Sequence, residues 1–324
     1  MTRHTPPVRV GVLGCADIAV RRVLPALDAA PGVRVAAVAS RDSATAARVA
    51  EPYGCAALTG YQAVLDRPDI DAVYVPLPAA LHAEWTERAL RAGKHVLAEK
   101  PLTTGLDETA RLVALAGELG LVLRENFMFP HHRVHDRVRR LVAEGAVGRL
   151  RCFNAEFSIP KRPPQDIRYQ SSLGGGALTD VGVYPLRVAQ HFLGAGLEVA
   201  GAVLHEDPDH GVDVAGAVLL RAPDGVTAQL TFGIEHAYRA AYELVGSEGR
   251  LTVDRAFSPP ADHRVRIRLE GRDGPRDLSA EPDDQYTRAM TAFATAVRTG
   301  EPDPGTAVAL ARLVERVRER AAYA

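Results

Sequence analysis

Three lysines stand out in a chain that otherwise uses arginine for its positive charge. Of the 39 basic residues only Lys94, Lys100 and Lys161 are lysine. Lys100 lies in the segment AEKPL at 98–102, directly after a short apolar run that predicts a β-strand. An ammonium, unlike a guanidinium, is compact and can deliver a proton, so Lys100 is a candidate proton donor. The alternative is a surface lysine that pairs with Glu99.

A second candidate for proton transfer lies in the glycine-rich block LGGGALTDVGVYP at 173–185. Asp180 and Tyr184 are four residues apart, so a helix would place them on one face. A phenol near an ammonium can act as an acid toward a carbonyl oxygen. The alternative is a core tyrosine with a capping aspartate. Pro185 predicts a bend of the helix at this point.

The first apolar run ends in a turn of small residues, GVLGCADIA at 11–19. In a dinucleotide-binding fold this turn must be tight, so that a pyrophosphate approaches backbone N–H groups at the positive end of a helix. The three positions of a GxGxxG motif are Gly14, Ala16 and Ala19, which makes the motif weak on its own and leaves an ordinary strand-to-helix turn as the alternative. The predicted cofactor contacts here are Gly14, Ala16, Asp17 and Ile18.

The second apolar run ends in AVASRD at 37–42. Ser40 and Arg41 occupy the corner where an acidic side chain would bind the ribose 2′-hydroxyl of NAD. A hydroxyl and a guanidinium bind a 2′-phosphate instead, so the sequence predicts NADP(H) with both residues as contacts. Asp42 lies next to them, and a solvent-facing turn is the alternative.

Alternating strands and helices surround these turns over residues 8–123, which predicts βαβ units in a parallel, doubly wound sheet. Ligands bind such sheets at the carboxyl ends of the strands. The predicted cofactor contacts at two further strand ends are Pro76, Leu77, His82, Glu99 and Lys100. The predicted strands are 8–13, 33–39, 71–75, 95–98 and 121–123, and the predicted helices are 18–29, 43–53, 80–92 and 104–119.

The pattern changes after about residue 125. A helix is predicted at 130–144, and apolar and polar residues then alternate strictly over 226–234, which predicts a sheet with one face in water. We therefore expect an α/β protein with an NADP-binding Rossmann domain over 1–124. The domain over 125–324 is predicted to be α+β with a large open, mainly antiparallel sheet. We expect this domain to bind substrate and to form the contacts between subunits. Packing of its terminal helix back on the first domain is compatible with this prediction. Its other predicted strands are 150–159, 198–205, 212–221, 242–245, 251–253 and 265–269.

Composition excludes several classes of function. Forty acidic and 39 basic residues leave a formal charge of −1, so no global field would hold nucleic acid or an anionic membrane. The most apolar stretch, 72–85, is broken by Pro76 and Pro78, and the amino-terminal residues lack a signal-peptide pattern. The three cysteines lack CxxC spacing, which disfavours a disulfide framework and a structural zinc and favours a cytoplasmic setting.

Several of these segments occur in the order typical of the Gfo/Idh/MocA oxidoreductases, and the chain resembles this family over nearly its whole length. The segments are GVLGCADIA, the strand-end SR, AEKP and GGGALTDVGVY. The resemblance implies that Lys100 is the principal catalytic residue and that Tyr184 takes a place where many relatives have histidine. It also implies a cis peptide at Lys100–Pro101, which would aim the ammonium at the nicotinamide.

Within the family the chain is most similar to the sugar-nucleotide 3-ketoreductases of deoxysugar and antibiotic biosynthesis, through residues 14–27 and 125–141. This similarity implies an NADPH-dependent reductase that transfers hydride to the 3-keto carbon of a dTDP-3,4-diketo-2,6-dideoxyhexose, with Lys100 and Tyr184 as proton source. Arg168, from DIRY, is expected to contact cofactor or substrate. The predicted substrate contacts are Lys100, Asn126, Phe127, His131, Arg133, Asp180 and Tyr184.

The segment HHRVH at 131–135 allows two interpretations. Its histidines and arginine stand at a predicted helix start, where cations and N–H dipoles could hold a nucleoside diphosphate, while a solvated basic helix is the alternative. A metal is not predicted, because the segment lacks a carboxylate–histidine signature such as HExxH.

Two other functions stay open at this point. One is an NADP-dependent dehydrogenase of a free sugar, inositol or dihydrodiol, and the other is a non-catalytic regulator that senses NADP. The joint presence of Lys100 and Tyr184 argues against the regulator. We expect a small-molecule substrate and a homo-oligomer, either a dimer or a tetramer.

Overall fold

The computed structural model describes residues 6–302 and 305–324, which fall into two compact units. The first unit comprises Met1–Phe127 and Tyr286–Val308, and the second comprises Met128–Gln285 and Ala309–Ala324. The sequence predicted two continuous domains, 1–124 and 125–324. The observed units differ from them because a carboxyl-terminal segment, Tyr286–Val308, belongs to the first unit. The roles expected for the two domains stay predictions.

Six described strands of the first unit form a parallel sheet in the order β3-β2-β1-β4-β5-β6. The strand order reverses between β1 and β4, so a crevice opens at the carboxyl ends of these two strands. The prediction of a doubly wound sheet is confirmed. The strands are β1 (Val8–Leu13), β2 (Val33–Ser40), β3 (Ala56–Thr59), β4 (Ala72–Val75), β5 (His95–Glu99) and β6 (Leu123–Asn126).

Helices of this unit connect the strands as the hydrophobic period predicts. Each buries an apolar stripe, such as Ala89 and Leu90 of the fourth helix, against the sheet. The short β3 and α3 were not predicted, and β6 begins two residues later than expected. The helices that connect the strands are α1 (Leu24–Ala29), α2 (Ser43–Ala50), α3 (Gln62–Leu65), α4 (His82–Arg91) and α5 (Leu106–Glu118).

The second unit is built on a sheet of nine described strands in the order β14-β13-β12-β11-β7-β10-β9-β8-β15. Pairing is antiparallel, as predicted, except between β7 and β10 and between β8 and β15. The predicted alternation is confirmed in β10, where Ala228, Leu230 and Phe232 are buried and the intervening residues face outward. The strands are β7 (Leu150–Ser158), β8 (Glu198–Asp207), β9 (Val212–Arg221), β10 (Thr227–Gly233), β11 (Arg239–Gly246), β12 (Gly249–Asp254), β13 (Ile267–Gly271), β14 (Gly274–Asp277) and β15 (Ala321–Tyr323).

Two helices accompany this sheet, α6 (Arg133–Ala143) and α7 (Val183–Leu193), and α7 packs against β7 and β10. Two further helices follow near the end of the chain, α8 (Gln285–Thr299) and α9 (Thr306–Arg320). No helix in the described part of the chain is long and apolar enough to cross a membrane.

A π-helical turn interrupts the helix in each of two blocks that the sequence indicates as functional. One, Ala19–Val23, follows the small-residue turn after β1, and the other, Leu178–Gly182, leads directly into α7. Such turns are frequent at functional sites. Pro185 lies in the first turn of α7 and cannot donate to the carbonyl of Val181, which accounts for the break in α-helical bonding that the proline predicts.

Candidate active site

The turn after β1 has the backbone that a bound dinucleotide requires. Gly14 is buried with φ of +125°, a conformation that disfavours any side chain. A Cβ at this position would lie 3.1 Å from Leu77 Cδ2 and 3.6 Å from the carbonyl oxygen of Pro76. Gly14 therefore borders the crevice between β1 and β4, and the exposed Ala16 and Asp17 continue its rim. The turn fits the pyrophosphate of a dinucleotide.

The end of β2 fits a 2′-phosphate. The carboxylate of Asp42 accepts a 2.7 Å hydrogen bond from the backbone N–H of Thr45 and caps α2, and this bond lowers the pKa of Asp42. Ser40 accepts a hydrogen bond from the backbone of Asp42, and Arg41 is exposed. Asp42, the acidic residue next to Ser40 and Arg41, thus has a structural role as a helix cap, while the side chain of Arg41 faces solvent.

Glu99 at the end of β5 is the centre of a buried polar network. It is 7% exposed, and its Oε1 accepts hydrogen bonds from Tyr74 Oη (2.6 Å) and Asn126 Nδ2 (2.7 Å). Burial and the nearby carboxylate raise the pKa of Tyr74 well above its usual value. Asn126 is buried and its amide N–H supports the strand end through Glu99, and its predicted substrate contact stays a prediction. Phe127 is also buried, so no large face of its ring is open to a ligand.

Lys100 follows Glu99 directly and is half-buried at the carboxyl end of β5. The peptide bond Lys100–Pro101 is cis, as the resemblance implies. Lys94 donates to the carbonyls of Arg67 and Ile70, and Lys161 forms a surface ion pair with Glu235. The candidate proton donor is therefore placed on the strand edge where open α/β sheets bind ligands.

His82, at the start of α4, is placed differently from the prediction. Its ring is 1% exposed, with Nδ1 2.7 Å from the carbonyl oxygen of Pro101 and Nε2 2.7 Å from that of Leu77. Burial lowers the pKa of His82, and the two carbonyls act in the opposite direction. Both nitrogens face backbone carbonyls of the loops that border the crevice, and the predicted contact with a cofactor stays a prediction.

In the second unit, Arg168 lies between two carboxylates. Its Nε is 2.5 Å from Asp180 Oδ2 and its Nη1 is 2.9 Å from Asp166 Oδ1. Burial alone would lower the pKa of Arg168, but the two carboxylates raise it above its usual value. The described hydrogen bonds of Arg168 thus fix Asp180, and its predicted contact with cofactor or substrate stays a prediction.

The glycine-rich block needs residues without side chains at two positions, because other groups approach its backbone closely. A Cβ at Gly175 would lie 2.5 Å from the carbonyl oxygen of Arg168. Gly176 has φ of +115°, and a Cβ there would meet the carboxylate of Asp213 at 2.5 Å. That carboxylate accepts a 2.6 Å hydrogen bond from the backbone of Leu178 at the start of the π-helical turn, so it anchors the segment that carries Asp180.

Tyr184 is held by three phenylalanine rings. Its ring centroid lies 4.9 Å from that of Phe157 in an edge-to-face arrangement, 5.6 Å from that of Phe257 and 6.3 Å from that of Phe129. These centroid distances and ring angles lie in the range that is favourable for aromatic pairs. Tyr184 is half-buried rather than internal, which agrees better with a functional tyrosine than with a core one.

The histidine-rich segment before α6 is only partly available to a ligand. His135 is fully buried, with Nδ1 2.9 Å from Tyr242 Oη and Nε2 3.1 Å from the carbonyl oxygen of Ala256. His132 is also buried and caps α6. Two of the four residues therefore remain candidates for binding a diphosphate, His131, which is half-buried, and Arg133, which is exposed.

Sequence reasoning missed Tyr74 and Asp213. Tyr74 lies in the fully buried run AVYV, which predicts a core strand, and Asp213 lies in the predicted strand 212–221. The available signal was the polar atom itself, because a buried hydroxyl or carboxylate needs a hydrogen-bond partner. Among residues 6–302 and 305–324, no three His, Cys, Asp or Glu side chains form a group that could hold a metal ion.

The parallel sheet, the glycine turn and the basic corner after β2 define a dinucleotide-binding oxidoreductase. Comparison with known proteins places the chain more narrowly. The family described as oxidoreductase family, NAD-binding Rossmann fold (GFO_IDH_MocA) matches residues 8–127, and a GFO/IDH/MocA C-terminal domain matches residues 135–252. The chain belongs to the GFO/IDH/MocA oxidoreductase family.

Individual relatives are similar over nearly the whole chain. A dTDP-3,4-didehydro-2,6-dideoxy-α-D-glucose 3-reductase of Streptomyces violaceoruber is 56% identical over 91% of this chain and 87% of the relative. An enzyme of the same name from Streptomyces antibioticus is 52% identical over 97% of each chain. The crystal structure of the 3-ketoreductase KijD10 from Actinomadura kijaniata, in complex with NADP and TDP-benzene, has a TM-score of 0.95 and 52% identity and covers 98% of each chain.

Proposed function

We propose that this chain is an NADPH-dependent 3-ketoreductase that acts on a dTDP-3,4-diketo-2,6-dideoxyhexose in deoxysugar biosynthesis for secondary metabolites. The observation that carries the proposal is the similarity, above 50% identity along nearly the full chain, to enzymes named for this reaction. The KijD10 complex holds NADP and a TDP derivative, which matches the cofactor expected from Ser40 and Arg41 and the nucleotide part of the substrate.

The residues of this chain supply binding and proton transfer. NADPH, when bound, supplies the hydride for the carbonyl carbon at position 3 of the sugar. The turn at Gly14 would hold the pyrophosphate, and Arg41 would hold the 2′-phosphate. Lys100 and Tyr184 would supply the proton to the ketone oxygen and stabilise the negative charge that develops on it. Asp180, fixed by Arg168, would orient the sugar.

The test is a substrate panel in which the absorbance of NADPH is measured, because it falls when a substrate is reduced and rises when one is oxidised. Purified protein is assayed with NADPH and dTDP-3,4-diketo-2,6-dideoxyhexose generated in situ, and with NADP⁺ and free aldoses, inositol or dihydrodiols in the oxidative direction. We expect turnover with the nucleotide-linked ketosugar and NADPH, and NMR of the product then gives the configuration at C3. Turnover of only a free sugar or polyol would support the dehydrogenase alternative, and NADP binding without any turnover would support the regulator.

We also propose that the enzyme forms a homo-oligomer and that it works in the cytoplasm. Homo-oligomerisation is supported by the exposed apolar side chains Val203 and Leu219, which lie on the neighbouring strands β8 and β9. Light scattering during size-exclusion chromatography tests it, and a monomeric mass would contradict it. A cytoplasmic setting is supported by Cys15, Cys55 and Cys152, which are all free thiols.

A further inference from the structure

The buried ring of His82 connects the segments that follow two neighbouring strands. Leu77 follows β4 and Pro101 follows β5, and the ring lies 2.7 Å from the carbonyl oxygen of each. The ladder between these strands ends at the pair Val75 and Ala98. His82 therefore acts beyond the last ladder bond, where no strand pairing fixes the distance between the two segments.

The chemistry of the ring supports a bridging role. A neutral imidazole carries one N–H, whereas an imidazolium donates from both nitrogens. The protonated ring satisfies both carbonyls, and the neutral ring satisfies one of them. In either form the ring fills the space between Leu77 and Pro101, and no ring nitrogen remains for a ligand.

We propose that His82 is a positioning residue for the reduction, and that its ring holds the segment carrying Lys100 against the turn that follows β4. Pro101 is bonded directly to Lys100, so a shift of the Pro101 carbonyl moves the backbone that carries the ammonium. A misplacement of about 1 Å at a reacting group can cost roughly 100-fold in rate. The proposal rests on the proposed function for the role of Lys100, whereas the bridge itself does not.

The first test compares His82 with a second histidine of the first unit, His95, which lies on β5. His82→Ala removes the bridge and leaves space for free imidazole. His95→Ala is the matched control, because His95 Nδ1 accepts a 2.9 Å hydrogen bond from the backbone of Val122 at the opposite end of β5. We expect His82→Ala to lower kcat by roughly 10- to 100-fold with a much smaller change in KM, and added imidazole to restore kcat in a saturable manner. His95→Ala should lose stability but keep kcat, with no response to imidazole.

The second test does not depend on the reaction. Reductive methylation followed by mass spectrometry of peptides gives the labelling rate of Lys100 relative to that of exposed Lys161, which serves as an internal reference. We expect this ratio to rise several-fold in His82→Ala, to return toward the wild-type value with imidazole and to stay unchanged in His95→Ala. His82→Gln, which keeps an N–H donor in the same space, provides a second variant should His82→Ala not fold, and an intermediate kcat and ratio are expected.

The outcomes separate the two proposals. A folded His82 variant with wild-type kcat and a wild-type labelling ratio would overturn the positioning role, as would a loss of kcat that imidazole does not restore while the ratio is unchanged. If the wild-type protein fails to reduce the nucleotide sugar, the proposed function fails, and the labelling ratio still decides whether His82 positions Lys100.

Discussion

Arg168 and Asp180 form an ion pair that links the loop before the glycine-rich block to the π-helical turn inside it. Arg168 Nε lies 2.5 Å from Asp180 Oδ2, and the side chains are 28% and 23% exposed. Asp166 binds the same guanidinium from the other side. This ion pair therefore helps to fix a carboxylate that is predicted to contact the substrate.

Replacing this arginine should affect both stability and activity. We expect Arg168→Ala to lower the free energy of unfolding by about 1–3 kcal/mol, because two partly buried carboxylates lose a charged hydrogen-bond partner. The value of kcat/KM should also fall, since Asp180 is no longer fixed. Chemical denaturation and steady-state kinetics measure the two effects.

The matched control is Arg221→Ala. Arg221 pairs with Glu198 at the same 2.5 Å distance, but both side chains are more than 60% exposed. We expect its free energy of unfolding and its activity to stay nearly unchanged. Equal effects of the two substitutions would contradict the importance of burial for the Arg168 pair.

Lys100 should be indispensable for turnover, and Tyr184 should be contributory. We expect Lys100→Ala to lower kcat by roughly 10²- to 10⁴-fold, the range for loss of a general acid, and Lys100→Arg to restore little of it, because a guanidinium keeps the charge but does not release the proton. Tyr184→Phe keeps the three aromatic contacts and should cost less. Single-turnover oxidation of bound NADPH measures each rate, Lys161→Ala is the control, and wild-type turnover by Lys100→Ala would exclude the assigned role.

Arg41 should determine the preference for NADPH over NADH. We expect Arg41→Ala to lower kcat/KM with NADPH by roughly 10- to 100-fold, because a charge-assisted bond to the 2′-phosphate is lost. The value with NADH should stay the same. Arg34→Ala, at the other end of β2, is the control. A parallel loss with both cofactors would show that Arg41 acts on the fold rather than on the phosphate.

The fold could be predicted from the sequence because its signals are local. The bounds of β1 and β9 coincide with the predicted ones, since β-branched runs and alternation identify strands without knowledge of their partners. The strand β3 is four residues long and half-buried, and β15 is three residues long. Both are too short for an alternation of apolar and polar residues to be recognised in the sequence. Pairing of β15 with β8 depends on contacts distant in sequence.

The candidate site could be predicted only where the residue type itself limits the role. Gly14 is recognisable because a positive φ favours glycine, and Lys100 because lysine is rare in this chain. His82 and Asn126 were expected to contact ligands, and the structure adds hydrogen bonds to Leu77, Pro101 and Glu99 that the sequence did not predict. A sequence shows that a side chain can form hydrogen bonds, whereas the choice between a ligand and the backbone depends on the tertiary structure.

Two histidines of the second unit, the buried His135 and the half-buried His191, should make it less stable in acid. Burial lowers the pKa of His135 well below its usual value, and burial together with Arg139 and Arg187 lowers the pKa of His191 to about 4. In the unfolded chain both rings take up a proton near pH 6.5. The unfolded state therefore binds more protons than the folded state below this pH, so the contribution to stability is complete above about pH 6.5 and is lost as the pH falls toward 4.

His191→Phe tests this pH dependence, because phenylalanine keeps the aromatic contacts with Phe129 and Phe192 but cannot titrate. Chemical denaturation between pH 7.5 and 4.5 gives the free energy of unfolding at each pH. We expect the wild-type slope below pH 6.5 to include about 1.4 kcal/mol per pH unit from His191, and the variant to lack it. If the slope of His191→Phe equals that of the wild type, His191 is protonated to the same extent in the folded and unfolded states, and burial does not control its titration.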